Sequence, residues 1–370
     1  MTAGVAPITP SPSRVRTLKK VGSSSSFASS MDPELMSPRR IVHAKADYTV
    51  KGEDTSRTCS IELEPDVIVR FYGVFDGHGG PLAGRFCAEH LPSLIASHYA
   101  AAPGASRAER IRNACKSAYV ACDELFRSAS PTRGDGATAT CVIVDGDEVT
   151  IANVGDSEAV LYLAGESRIL SADHRVGRRT PAEHTRLMDA GAAIGRIRGR
   201  NGQPVGPERV YPGGLSVTRS IGDSDSTAAA IPDPDVSTIT LPASGGMIVI
   251  ASDGVWDFVT KAHVEKLAQQ SRKPRSGAGW MARALMRATI QSNLEVDDAT
   301  ILCIDVRDAT DDLPTMSLSD KVKSRARSIF HIGGRRPTTA PAGRPADVRA
   351  ASSESESDEK SLSVSDRNAA

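Results

Sequence analysis

The sequence predicts an α+β fold in which two antiparallel β-sheets pack face to face and α-helices flank them. Short apolar runs separated by turn residues predict strands joined as hairpins. Three longer segments carry apolar residues at every third or fourth position, which is typical of helices. Because these helical segments lie before and between the strand-rich parts, a four-layer β-sandwich is favoured, with a helical layer outside each sheet.

The first part of this domain is predicted to contain a strand, two helices and a hairpin. Val67 to Phe75 is a mostly apolar run, typical of a buried strand. Pro81 to His98 and Arg107 to Arg127 have the helical spacing of apolar residues. Thr138 to Val144 and Glu148 to Val154 flank an Asp-Gly-Asp turn, and this pattern predicts a β-hairpin.

The second part is predicted to contain another hairpin, two strands and a helix. Ala159 to Leu163 and Arg168 to Leu170 flank a short turn that contains a glycine. Met247 to Ala251 and Ala299 to Val306 are apolar runs of strand length, and Trp280 to Ser292 has helical spacing. These elements complete a strand-rich domain.

The predicted elements fit one domain at residues 42–308 better than two smaller domains. Residues 1–41 are rich in Ser and Pro, and residues 309–370 pass from a Lys/Arg-rich stretch to an acidic one with few large apolar side chains. Such segments bury too little apolar surface to offset the entropy of ordering, so both are predicted to be disordered tails. The basic, Ser-rich start would also suit an organelle transit peptide.

The overall composition excludes several classes of protein. Lys plus Arg and Asp plus Glu both number 45, so no net charge directs the chain to nucleic acid or to a membrane surface. No stretch approaches the roughly 18 apolar residues that a membrane-spanning helix needs. The six cysteines form no close pairs and are expected to be reduced thiols. We therefore expect a soluble intracellular protein of the cytoplasm or nucleus, with an organelle as the alternative.

Carboxylates recur at the ends of the predicted strands. Asp76 and Asp253 each close an apolar strand and each precede a glycine. An Asp-Gly pair alone is most often a tight turn, and the alternating strands around Asp145 favour that interpretation there. Further carboxylates stand beside other predicted strands: Asp54, Asp156, Asp297 and Asp298.

Carboxylates that converge on one rim of a sandwich repel one another unless cations neutralise them. The ligands here would be oxygen atoms, with no paired His or Cys, and such a set favours Mg²⁺ or Mn²⁺ over Zn²⁺. The sequence therefore predicts a site for divalent cations at the strand ends.

The same residues stand in motifs that resemble those of the type 2C metal-dependent protein Ser/Thr phosphatases. The motifs occur in one order, and the likeness runs from about Ala44 to Asp305. They are Asp76-Gly77-His78-Gly79-Gly80, Asn153-Val154-Gly155-Asp156-Ser157, Leu215 to Asp223, Ser252 to Asp257, and Asp297-Asp298-Ala299-Thr300. Several motifs in order are far more specific than one Asp-Gly-His-Gly-Gly motif alone.

The resemblance implies a monomeric catalytic domain that hydrolyses phosphoserine and phosphothreonine in phosphoproteins, with a metal-activated water and no covalent phosphoenzyme. It implies two Mg²⁺ or Mn²⁺ ions, and a third, weaker site that parts of the family have. Asp76 would bridge the two ions, and His78 would be the general acid that protonates the leaving oxygen. The other implied ligands are the Gly77 carbonyl, Asp253, Asp297 and, through water, Asp54, with Asp156 and Asp257 joining Asp253 at the third site.

The chain departs from the family pattern at three positions. Thr49 stands where many members have an arginine that grips the phosphate with its bidentate fork. Lys51 would supply a point charge there, although an ordinary surface lysine is an equal interpretation. Asp298 replaces a frequent Asn, and Glu158 replaces a frequent Arg.

Residues 175–214 correspond to the family's flap beside the active site. This segment carries eight arginines against three acidic residues, so its positive field could attract acidic phosphoprotein segments. An ordinary solvated loop is the alternative.

Two other functions stay open at this stage. A pseudophosphatase that scaffolds partners would have the same fold without catalysis, but it would have lost metal ligands that are present here. A metal-dependent phosphatase of small molecules would also use clustered carboxylates, although the ordered motifs disfavour it.

Overall fold

The computed structural model describes residues 39–129, 134–226, 229–273, 276–293 and 297–308. The predicted tails lie outside these ranges, apart from residues 39–41, which begin the first strand. None of the helices within these ranges is long and apolar enough to cross a membrane.

The elements within these ranges are fifteen strands, six α-helices and a short 3₁₀ helix at Val176–Arg178. The strands are β1 (Arg39–Tyr48), β2 (Thr55–Glu64), β3 (Val67–Phe75), β4 (Gly77–His78), β5 (Gly136–Ala137), β6 (Ala139–Asp145), β7 (Glu148–Val154), β8 (Glu158–Tyr162), β9 (Ser167–Ile169), β10 (Ala193–Arg198), β11 (Pro204–Tyr211), β12 (Ile221–Gly222), β13 (Asp235–Thr240), β14 (Gly246–Ala251) and β15 (Ala299–Asp308). The helices are α1 (Leu82–Tyr99), α2 (Arg107–Ala129), α3 (Pro181–Asp189), α4 (Asp253–Trp256), α5 (Lys261–Ser271) and α6 (Ala278–Asn293).

Two five-stranded antiparallel sheets form the centre of the fold. One has the strand order β1-β15-β14-β8-β9, and the other has the order β13-β7-β6-β3-β2. Both predicted hairpins are present, as β6 with β7 and β8 with β9. The β10–β11 hairpin and the small β12-β5-β4 sheet complete the described strands.

The central strands are apolar on both faces because each face packs against a different layer. In β3, Val69 and Phe71 face the core beneath α1 and α2, whereas Tyr72 and Val74 face the sheet that contains β15. In β15, the side chains are divided in the same way between the sheet that contains β3 and the core beneath α5 and α6. Full burial of one such side chain contributes about 1.5–3 kcal/mol. The predicted four-layer sandwich is therefore confirmed.

The strand register brings several loops to one end of the sandwich. The end of β3 lies beside the beginnings of β2 and β6 and near the end of β7. In the other sheet, the ends of β14 and β1 lie beside the beginnings of β15 and β8. The short connections from β1 to β2 and from β7 to β8 join the two sheets at this end, which the carboxylates occupy.

Candidate metal centre

Three carboxylates from different loops meet at this end of the sandwich. Asp76 follows β3, Asp54 precedes β2, and Asp253 begins α4 after β14. The Asp76 carboxyl is within hydrogen-bonding reach of both Asp54 and Asp253. All three residues keep part of their surface exposed, so an ion can reach them from solvent.

The electrostatics of these three residues are unfavourable in the absence of a cation. Burial raises the pKa of Asp76 well above its ordinary value, and the negative charges of Asp54 and Asp253 raise it further. Burial also raises the pKa of Asp54 and of Asp253. Within the described ranges, no Lys or Arg forms an ion pair with any of the three. Their repulsion is therefore left for another positive charge to relieve.

Neighbouring groups on both sheets hold these carboxylates in position. The Thr138 hydroxyl accepts a hydrogen bond from the Asp76 amide at 3.3 Å, and the Thr138 amide donates to the Asp76 carbonyl at 2.9 Å. Ser252 donates its hydroxyl to Asp54 Oδ2 at 2.8 Å and accepts from the Thr300 amide at 3.0 Å. Buried side chains at the strand ends, Thr138 and Ser252, thus hold Asp76 and Asp54 in place.

Gly77 lies where the backbone itself is closely packed. A Cβ atom at this position would lie 2.6 Å from the Glu53 carbonyl oxygen and 3.1 Å from that of Gly80. The β1–β2 connection therefore packs directly against the Gly77 backbone. This close approach requires glycine. Because glycine has no side chain, nothing shields the Gly77 carbonyl, which could then bind an ion.

Asp298 fixes the loop that carries Lys51 and Asp54. Its Oδ1 accepts from the amides of Val50 and Lys51, and its Oδ2 accepts from those of Glu53 and Asp54. Burial raises the pKa of Asp298, but these four hydrogen bonds outweigh it and the net shift is downward. The departure at this position therefore has a structural role that the sequence did not reveal.

Lys51 lies beside Asp297 at the edge of the carboxylate cluster. Its Nζ is 2.8 Å from Asp297 Oδ1, and its side chain is about half exposed. Thr49, at the position of the frequent phosphate-binding arginine, is also exposed. The positive charge on this side of the site is thus that of Lys51.

His78 forms a close pair with Asp223. The His78 Nε2 lies 2.9 Å from both carboxylate oxygens of Asp223, which is buried and also accepts from the Ser220 hydroxyl. Burial lowers the pKa of His78, but the hydrogen bond and charge of Asp223 outweigh this effect and raise it. Asp223 has a left-handed backbone, with φ at 45°. Asp223 orients the His78 ring and favours its charged form, a role that is visible only once the fold brings the two motifs together.

Asp156 and Asp257 have a different partner from the other carboxylates. The Arg175 guanidinium lies between them, with Nε 3.1 Å from Asp156 Oδ2 and Nη1 2.8 Å from Asp257 Oδ1. Asp156 is buried, and Asp257 is about half exposed. The structure thus brings together two of the three residues expected at the third ion site, and an arginine lies between them.

Glu158, which replaces the arginine that is frequent at this position in the family, is buried and forms an ion pair with Lys261 at 2.7 Å. The Lys261 ammonium also lies over the Trp256 ring, 5.2 Å from its centre. The unusual negative charge at position 158 is therefore compensated by a lysine at the beginning of α5.

The donor set fits divalent cations, although the side chains form no finished coordination sphere. Asp54, Asp76, Asp253 and Asp297 offer oxygen ligands, which Mg²⁺ and Mn²⁺ prefer. Among the residues that the structure describes, no three His, Cys, Asp or Glu side chains enclose a point at ligand distance. The assignment of individual ligands therefore stays a prediction.

Comparison with known proteins identifies the family. The family model of protein phosphatase 2C matches residues 48–296. The chain belongs to the protein phosphatase 2C family. It is 32% identical over 274 residues to probable protein phosphatase 2C 5 of Arabidopsis thaliana, a match that covers 72% of this chain and 62% of that protein. It is 34% identical over 264 residues to probable protein phosphatase 2C 15 of Oryza sativa subsp. japonica, covering 70% and 57%.

A solved member of the protein phosphatase 2C family has the same fold. The crystal structure of the serine-threonine phosphatase 2C from Toxoplasma gondii aligns with a TM-score of 0.59 at 19% identity, over 74% of this chain and 100% of that chain. The present chain spans about three fifths of the length of the two plant relatives. The predicted family resemblance is confirmed, and the family is metal-dependent.

Proposed function

We propose that this chain is a metal-dependent protein Ser/Thr phosphatase that hydrolyses phosphoserine and phosphothreonine. The observation that carries the proposal is the group of Asp54, Asp76 and Asp253 at one end of the sandwich. These carboxylates repel one another, and none forms an ion pair with a described Lys or Arg. They stand in the ordered motifs of a metal-dependent phosphatase family.

The proposed centre would hold two Mg²⁺ or Mn²⁺ ions. Asp76 would bridge them, the Gly77 carbonyl would bind one, and Asp253 and Asp297 would bind the other. Asp54 would act through a water molecule. When bound, such ions lower the pKa of a coordinated water and neutralise phosphoryl oxygens, so no Ser or Cys nucleophile is needed.

The protein's own residues would supply the proton for the leaving group. A departing Ser or Thr alkoxide is strongly basic, so it must be protonated as the P–O bond breaks. His78 is held by Asp223 at 2.9 Å with a raised pKa, and this arrangement supports a protonated imidazolium that donates to that oxygen.

Substrate binding would rest on positive charge near the cluster. Lys51 carries its ammonium at the edge of the site, where the family's arginine is replaced by Thr49. Three exposed arginines of the β10–β11 hairpin support recognition of acidic phosphoprotein segments: Arg196 and Arg198 in β10, and Arg200 in the turn.

A comparison of substrates tests this proposal. With Mn²⁺ present, the purified protein should release phosphate from a phosphothreonine peptide with a higher kcat/KM than from small sugar or nucleotide phosphates. Equal or greater activity on the small molecules would contradict a protein phosphatase. Lack of hydrolysis of every substrate in excess Mn²⁺ would contradict catalysis and favour a scaffold.

A further inference from the structure

Arg175 connects two carboxylates that come from separate parts of the fold. Asp156 lies in the β7–β8 connection, and Asp257 directly follows α4. The Arg175 guanidinium reaches both, at 3.1 Å and 2.8 Å, from the chain segment that leads into the 3₁₀ helix. One cation of this protein therefore already bridges two of the three residues, Asp156 and Asp257 but not Asp253, that are expected to hold an additional metal ion.

Hydrogen bonds and a buried neighbour fix the backbone around Arg175. The Arg175 amide donates to Asp173 Oδ1 at 3.0 Å, and Arg175 forms an isolated β-bridge with Val217. The next residue, Val176, is fully buried, and its amide donates to the Ser216 carbonyl at 2.8 Å. The Arg175 side chain is itself only 19% exposed.

Asp156 and Asp257 lie close enough to Asp253 to raise its pKa, but they differ from the proposed two-ion centre in having a positively charged partner. Asp54, Asp76 and Asp253 form no ion pair with the described Lys and Arg residues, whereas Asp156 and Asp257 share one guanidinium. A divalent ion bound to the same two carboxylates would need oxygen atoms at about 2.0–2.6 Å. It would also meet a like charge within a few ångströms, which repels it strongly.

We propose that the Arg175 guanidinium takes the place of a third metal ion at Asp156 and Asp257, so that this chain binds two ions and not three. The inference rests on the proposed function, because it concerns the same metal centre. It assigns Arg175 as a positioning residue that neutralises Asp156 and ties the β7–β8 connection to the end of α4.

Metal stoichiometry tests the inference without an activity measurement. Equilibrium dialysis of the full chain against Mn²⁺, from micromolar to millimolar, with Mn counted by mass spectrometry, should give two ions per wild-type chain. Arg175→Met, which keeps the side-chain length without the charge, should bind one ion more. Arg178→Met is the matched control, since this neighbouring arginine pairs only with Asp173 among the described carboxylates, and its count should stay at two.

A substitution of Asp257, which pairs with Arg175, gives a second test that does not depend on whether Arg175→Met folds normally. The wild-type count should not change in Asp257→Asn, and the extra ion of Arg175→Met should disappear in the double variant with Asp257→Asn. A wild-type count of three that falls to two in Asp257→Asn would overturn the inference, as would an unchanged count in Arg175→Met. Loss of the two common ions from every variant would instead contradict the proposed function, because the inference concerns only the difference of one ion.

Discussion

Removal of the Asp298 carboxylate should weaken both the fold and the metal centre. In Asp298→Ala, four backbone amides between Val50 and Asp54 lose their acceptor. Val50 and Lys51 are exposed and can bond to water, so the loss falls mainly on the partly buried amides of Glu53 and Asp54. At about 1.5–3 kcal/mol for each bond to a charged acceptor, the free energy of unfolding should fall by about 3–6 kcal/mol.

Urea denaturation in the presence of EDTA measures this loss without a contribution from bound metal. The pKa of Asp298 is lowered in the folded protein, so its stabilising effect is complete above its unfolded pKa of about 3.9 and is lost as the pH falls through the folded value. The difference between wild type and Asp298→Ala should therefore shrink as the pH is lowered below about 4. A loss below about 1 kcal/mol at neutral pH would refute the role of Asp298 in fixing this loop.

Two further variants test the His78 pair and the support of the flap region. Asp223→Asn should lower kcat for a phosphothreonine peptide by about 10- to 100-fold but change hydrolysis of p-nitrophenyl phosphate by less than about threefold, because that leaving group needs no proton from His78. Equal losses on both substrates would contradict the positioning of His78 by Asp223. Glu183 is partly desolvated, which raises its pKa, but hydrogen bonds from Arg219 and Arg186 lower it to about 2. The stabilisation that the Glu183 carboxylate provides is present above its unfolded pKa and is lost as the pH falls from about 4.3 toward 2. Glu183→Gln should therefore make the urea midpoint of unfolding less dependent on pH below about 5. An unchanged pH dependence would disprove this linkage.

The central strands and hairpins could be predicted because their signals are local. β3 has large apolar side chains on both faces, and the Asp-Gly-Asp turn between β6 and β7 marks its own hairpin. By contrast, β1 was missed because it lies at the edge of its sheet and mixes charged and small apolar residues. The β10–β11 hairpin was missed because Ile197 and Val205 are exposed and the arginines around them indicate a solvated loop.

The candidate site was predictable where residues stand at strand ends and within ordered motifs, as Asp76 and Asp253 do. The residues that contact these motifs could not be predicted, because each contact joins positions that are far apart in the sequence. Asp298 reaches the loop at Val50, and Asp223 reaches His78, although the sequence separates each pair widely. A sequence pattern gives the residue type at such positions but not the atom that it faces.

The sequence also did not reveal which positive charge lies beside which carboxylate. Arg175 was counted only as one of many arginines in residues 175–214, yet it is the one that lies between Asp156 and Asp257. The disordered tails and the cellular location, which were inferred from composition, stay predictions.

The most direct test of the metal centre compares two Asp-Gly pairs in one Mn²⁺ titration. Asp253 lies in the carboxylate cluster, whereas Asp145 lies at the hairpin turn at the other end of β6, where it pairs with Arg107. Phosphate release from a phosphothreonine peptide should rise with Mn²⁺ in wild type and in Asp145→Asn, and should be abolished by EDTA. In Asp253→Asn it should fall by more than about 100-fold. Full activity in EDTA, or an Asp253→Asn variant as active as wild type, would contradict the metal centre.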